Sequence, residues 1–273
     1  MDTIINLFSY PFFMRALIVG LLVSLCAAML GVSLVLKRYS MIGDGLSHVS
    51  FGALSIAAAL NMAPLAVSVP IVILAAFLML RLTEKSTLGG DSAIAIFSSA
   101  ALATGIIITS LPLGINIDIR NYMFGSILAM SQSDVYISII LSVIVIVVYV
   151  LFHNRIFAIT FDENFSRATG VKVDLYNMTL AALTAITIVI GMRIMGALLI
   201  SSLIIFPALS AMHICRYFKK VIVTSAFISV FCFLAGLTAS YLLELPVGAS
   251  VVAVNFVIFI LCWVISFVKK GNN

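Results

Sequence analysis

The chain has 273 residues, 63% of them hydrophobic and 9% charged, with a net charge of +5. Soluble domains carry about 25% charged residues, so this composition excludes a water-soluble core and describes a polytopic membrane protein. Barrel strands would alternate polar and apolar residues over about ten positions; these runs are longer and apolar all round, which leaves helices.

A crossing needs about 20 predominantly apolar residues. The first uncharged run is 16–36. The next, 45–80, is too long for one helix and is broken at Asn61-Met-Ala-Pro64, so it reads as two antiparallel spans. Further runs follow at 92–111, 135–152, 175–192, 194–215, 221–243 and 245–268. Only Gly191-Met-Arg-Ile-Met-Gly196 divides the sixth span from the seventh, a pair that could be partly re-entrant. The expected fold is an all-α membrane protein with eight or nine transmembrane helices in a single domain, 1–273.

With nine spans the N-terminus lies outside and the C-terminus inside. That arrangement puts every lysine and arginine on the inner side except Arg15, Arg120 and Arg193, a clear positive-inside pattern. The bases therefore read as orientation signals facing lipid headgroups and loops, not as a nucleic-acid footprint. Asp2 and the lack of a basic leader argue against a cleavable signal peptide. The four cysteines, Cys26, Cys215, Cys232 and Cys262, lie in apolar runs without C-x-x-C spacing and read as buried small hydrophobes.

Two connections are longer than turns. The outer one, about 112–134, contains the short apolar piece 121–130, which suits a re-entrant or interfacial helix. The inner one, about 153–174, is the most polar part of the chain. Its small residues Ala168 and Gly170, set among charges, suit a short helix and turn that dock in another protein; an ordinary solvated loop is the alternative.

Asp44 and His48 carry the chemistry. Four residues apart, they share one helix face, about 5–6 Å apart at Cβ, with Phe51 and Ser55 continuing that face. An aspartate at a helix centre costs about 2.5–3.5 kcal/mol on insertion scales, which a cavity, a partner or a cation can offset. Imidazole with carboxylate suits zinc, manganese or ferrous iron better than copper(I). Two ligands are too few for a tight structural site but suit a transit site that the ion must also leave. A neutral imidazole ligand makes transit weaker at acidic pH. Alternatively, Asp44 caps its helix or pairs with Lys37 or Arg38, and His48 is satisfied by a carbonyl. Gly43, Ser47 and Ser50, on the neighbouring face, allow close helix approach. His213, His153 and Glu244 read as boundary residues. No G-x-x-x-x-G-K-[ST] phosphate loop and no H-E-x-x-H zinc motif occurs, so no catalytic residues are assigned.

Three stretches carry a family resemblance. Lys37-Arg-Tyr-Ser-Met-Ile-Gly-Asp-Gly-Leu-Ser-His48 resembles the second-span signature of permease subunits of zinc, manganese and iron ATP-binding-cassette importers, the ABC-3 family. Residues 195–208 resemble its Gly-Ala-Leu-Leu…Pro-Ala segment, although Leu209-Ser210 replaces the frequent small pair. Residues 237–249 resemble its Ser-Tyr…Pro-x-Gly-Ala segment, with Glu244 where aspartate is common.

The resemblance implies a type II importer-like fold in a bacterial cytoplasmic (inner) membrane and a homodimer with the pathway on its two-fold axis. It implies Asp44 and His48 as metal contacts and the inner loop with Ala168 and Gly170 as the coupling helix. Its implied partners are an ATP-binding-cassette ATPase subunit, which binds and hydrolyses the ATP, and a lipoprotein or periplasmic solute-binding protein that delivers the metal. The divalent ion is substrate, and no cofactor is bound by this chain. A secondary transporter driven by an ion gradient is the alternative.

Overall fold

The computed structural model describes residues 11–85, 90–111, 125 and 132–271. Apart from Gly125, the outer segment 121–130 expected to be re-entrant lies outside the described residues, as do Asp2 and Arg120. The described chain forms α1 (Pro11–Leu36), α2 (Ile42–Ala59), α3 (Pro64–Lys85), α4 (Gly90–Ser110), α5 (Gln132–Leu151), α6 (His153–Phe161), α7 (Glu163–Ala168), α8 (Val173–Met195), α9 (Ala197–Ile214), α10 (Phe218–Leu243) and α11 (Val247–Gly271). No strand occurs among the described residues.

Eight of these helices are long and apolar enough to cross a membrane: all except α2, α6 and α7. At 18 residues α2 has the length, but Asp44, His48 and three serines keep it out of that group. The expected ambiguity between eight and nine spans thus falls on one helix, the one that carries the motif.

Helix α1 is the hub, with α5, α8, α9 and α10 packed around it, while α2 lies chiefly against α4 and α3. Lipid tails are as apolar as leucine, so burying apolar surface does not drive helices together here; close packing and interhelical hydrogen bonds do. Small residues supply the packing. A Cβ added to Gly31 in α1 would lie 2.0 Å from the Ile204 carbonyl oxygen of α9, and one added to Gly52 in α2 would lie 2.8 Å from the Ala101 carbonyl oxygen of α4. Serines supply the bonds: on α10 Ser229 donates to the Ser24 carbonyl of α1 at 2.9 Å, and Ser33 of α1 meets the buried Tyr149 hydroxyl of α5 at 3.0 Å. Helices α4 and α11 keep most of their apolar surface exposed, as lipid-facing helices do.

The α8–α9 junction departs from the expectation. Helix α8 runs through Gly191 and Arg193 to Met195, and the break is a single residue, Gly196, at φ 84°, ψ 162°, a conformation essentially restricted to glycine. Arg193 is therefore not in an outer loop. It sits in the last turn of α8, with Nη1 2.6 Å from Oδ1 of the buried Asp134 at the start of α5. Gly191 packs between Val23, in the middle of α1, and Ile200. Helix α9 thus starts near mid-α1, and both α8 and α9 are long and apolar enough to cross a membrane.

Candidate metal site and docking segment

The connection from α1 to α2 is a tight reversal. The Tyr39 and Arg38 amides donate back to the Leu34 and Val35 carbonyls at 2.8 and 3.1 Å, with Arg38 left-handed at φ 62°. This is a Schellman end with arginine where glycine is usual. The Ile42 amide then donates to Tyr39 and that of Gly45 to Met41, both at 3.0 Å, so the turn runs straight into the first turn of α2.

Asp44 lies in that first turn, with Oδ2 3.6 Å from Nε2 of His48; their side chains are 49% and 25% exposed. The pair is open on one side and walled on the other. On α9 the Ser201 hydroxyl donates to the Ala197 carbonyl of its own helix at 3.1 Å. Asp44 lies at the N-terminal end of α2, whose partial positive charge favours an anion. The helix cap is Met41, without a side-chain bond. Lys37 is engaged elsewhere, so neither capping nor a Lys37 pair accounts for Asp44. Two expectations are corrected. Phe51 is 1% exposed and packs on Gly105 of α4, and Ser55 is buried with its hydroxyl on the Phe51 carbonyl. The open ligand face is limited to Asp44 and His48 because α4 covers the rest.

Among the described residues no group of three or more His, Cys, Asp or Glu side chains comes together. Among the described residues the Asp44–His48 pair therefore stands without a third such side chain beside it. His213 lies tilted against Phe259 with ring centroids 5.8 Å apart, and His153 lies against Phe218 at 5.5 Å. Burial and then the nearby Lys219 charge push the His153 imidazole below its usual value. Glu244 closes α10 in a left-handed conformation. Cys26, Cys232 and Cys262 are buried free thiols, as read from sequence, and Cys215 is half-buried beside Thr224.

At the end of the bundle where α1 finishes, the segment 153–174 folds as α6 and α7. The Asp162 side chain caps α7 by accepting from the Phe165 amide at 2.8 Å. Ala168 is the last residue of α7. Gly170 follows at φ 81°, where the Gly170 and Val171 amides donate to Arg167 and Ser166, a second Schellman end. No atom lies within 4 Å of where a Gly170 Cβ would be. Phe161 and Phe165 stand 60% and 65% exposed beside it. Arg167 braces α7 to α8 through Asp174 at 2.5 Å.

The anchor that sequence reading missed is Lys37. Its side chain is 4% exposed, it pairs with Glu163 of α7, and it donates to Asn177 Oδ1 of α8 at 2.8 Å. Its partners lie 126 and 140 residues away, so no local spacing announces them. Burial alone would raise the Glu163 carboxyl, but Lys37, Asn177 and Arg167 together hold it below its ordinary value. A lowered folded value gives stability that is present above the unfolded carboxyl's value, about 4.3, and is lost as pH falls through the folded one. Wild-type protein should lose thermal stability relative to Glu163→Gln as pH drops from about 5 to about 3. Melting curves that stay parallel across that range would contradict this.

A family profile described as "ABC 3 transport family" matches residues 9–266. The manganese transport system membrane protein MntC of Listeria monocytogenes is 29% identical over 94% of this chain and 92% of its own length. The high-affinity zinc uptake system membrane protein ZnuB of Haemophilus influenzae is 28% identical over 90% of this chain and 94% of its own. Among solved structures, a chain of PsaBC from Streptococcus pneumoniae in complex with Fab superposes with a TM-score of 0.86 at 26% identity, covering 96% of this chain and 94% of that one. A metal-chelate type ABC transporter in an inward-facing conformation shares the fold alone, with a TM-score of 0.73 at 15% identity over 92% of this chain and 85% of that one.

Proposed function

This chain belongs to the ABC 3 transport family, and on that premise we propose that it is the membrane-spanning permease subunit of an ATP-driven importer for a divalent transition metal ion, manganese or zinc. The observation that carries the reading is the Asp44–His48 pair, a half-open carboxylate and imidazole 3.6 Å apart in an apolar bundle. The relatives named for manganese and zinc align along nearly all of the chain, and both ions accept oxygen and nitrogen ligands.

Two side chains replace only part of an ion's hydration shell. A second copy facing the first across a two-fold axis would bring two more, for four ligands in all. Such a site holds the ion only while access is closed on both sides, which is what transit requires. A metal-binding lipoprotein or periplasmic protein delivers the ion from outside. The inner α7 turn, with Ala168 and Gly170 at its tip and Phe161 and Phe165 beside it, fits a groove of the ATPase subunit. The chain itself lacks a phosphate loop, so ATP binding and hydrolysis fall to that partner. The positive-inside pattern puts α7 and the C-terminus on the cytoplasmic side of a bacterial inner membrane.

The test is reconstitution in proteoliposomes with the ATPase subunit and the metal-binding protein, followed by 54Mn or 65Zn uptake. Uptake that requires ATP on the ATPase side is the expected result. Uptake by the permease alone under a proton or sodium gradient would overturn the reading in favour of a secondary transporter.

A further inference from the structure

We propose that Lys37, Glu163 and Asn177 form a latch that passes movement of α7 to the first turn of α2 and so sets the position of Asp44 and His48. The proposal rests on the importer reading above.

A lysine this deeply buried has to be matched by charge and hydrogen bonds, and here one ammonium is matched by two elements at once. Glu163 belongs to the exposed docking helix and Asn177 to α8, and the Asn177 amide also donates to Glu163 Oε1 at 3.2 Å. The triangle is closed, so neither α7 nor the start of α8 can shift without pulling on Lys37.

Lys37 in turn is rigidly joined to the site. It caps α1 at the Schellman reversal, and two 3.0 Å backbone bonds carry that reversal into α2. Asp44 is seven residues on. Beneath Lys37 the fit leaves little slack. Tyr39, Ile42 and Leu46 face Asn177, Leu180 and Ala181 across a void of only about 10 Å³, roughly one water probe. Displacement at α7 is therefore transmitted through packed atoms rather than absorbed. Lys37 is a positioning residue: it touches no substrate and acts through α2.

Two measurements test the latch. In the complete transporter, Lys37→Gln and Glu163→Gln should each lower metal moved per ATP hydrolysed about tenfold. The double variant should be no worse than either single one, because both changes open the same contact. Lys37→Gln should still assemble with the ATPase and keep basal hydrolysis. Additive losses, an unchanged ratio, or a loss explained by poor assembly would overturn the latch and leave a mere anchor. Independently of transport, hydrogen–deuterium exchange of the purified permease should quicken at residues 41–46 in Lys37→Gln while α10 stays protected. Unchanged protection there overturns the latch whatever the uptake result. Failure of wild-type ATP-driven uptake, with the exchange effect present, overturns the importer reading instead.

Discussion

Asp44→Ala should abolish metal uptake while leaving the permease folded and bound to its ATPase. The side chain is about half exposed and makes no contact on which the bundle depends; its partner is His48. Its removal therefore costs the fold little. For the ion the cost is large. In the four-ligand site proposed for two facing copies, the substitution would delete both carboxylates and leave only the two imidazoles. Loss of a charged bond worth about 3 kcal/mol corresponds to a fall of about a hundredfold or more in occupancy. Manganese and zinc accumulation in cells carrying only the variant, alongside co-purification of the ATPase subunit, measures both halves. Ordinary accumulation would remove Asp44 from the pathway.

Gly31→Ala should have the largest effect on stability. The added Cβ would lie 2.0 Å from the Ile204 carbonyl oxygen and 3.2 Å from its Cα. Both are backbone atoms on a packed helix, so relief requires α1 and α9 to part rather than a side chain to rotate. Overpacking of this kind costs about 1–3 kcal/mol, occasionally more. The damage also reaches the site, because Ile204 is the residue against which Gly43 packs beside Asp44. Gly43→Ala provides the graded comparison. Its Cβ would meet only the end of the Ile204 side chain, at 3.2 Å, which can yield. Thermal unfolding in detergent should rank wild type above Gly43→Ala and Gly43→Ala well above Gly31→Ala. Equal midpoints for Gly31→Ala and wild type would show that the close crossing does not limit stability.

Much of the architecture was legible because membrane helices are read from run length. The break at 61–64 falls at the α2–α3 turn, where the Met62 and Asn61 amides close α2 and Asn61 is left-handed. The Asp44–His48 contact follows from helical spacing. Two features were not legible. The extent of the ligand face was overread through Phe51 and Ser55, since helical period says which residues share a face but not which neighbour covers it. Arg193 looked like a loop residue because a charge beside glycines resembles a boundary; its partner Asp134 is 59 positions away in sequence, and only packing brings them together.

Sequence alone determined the solvent, the helical class, the span pattern and the residue types that can hold a divalent ion, because hydrocarbon admits few backbone solutions and few side-chain chemistries. The tertiary structure decided which side of the Asp44–His48 pair is open, and that Lys37, just ahead of the helix bearing that pair, is held by Glu163 of α7 and Asn177 of α8. Those are relations between residues on different helices, more than a hundred positions apart for Lys37 and its partners. They depend on how glycine contacts and buried polar bonds set one helix against another, which periodicity within a single helix does not specify.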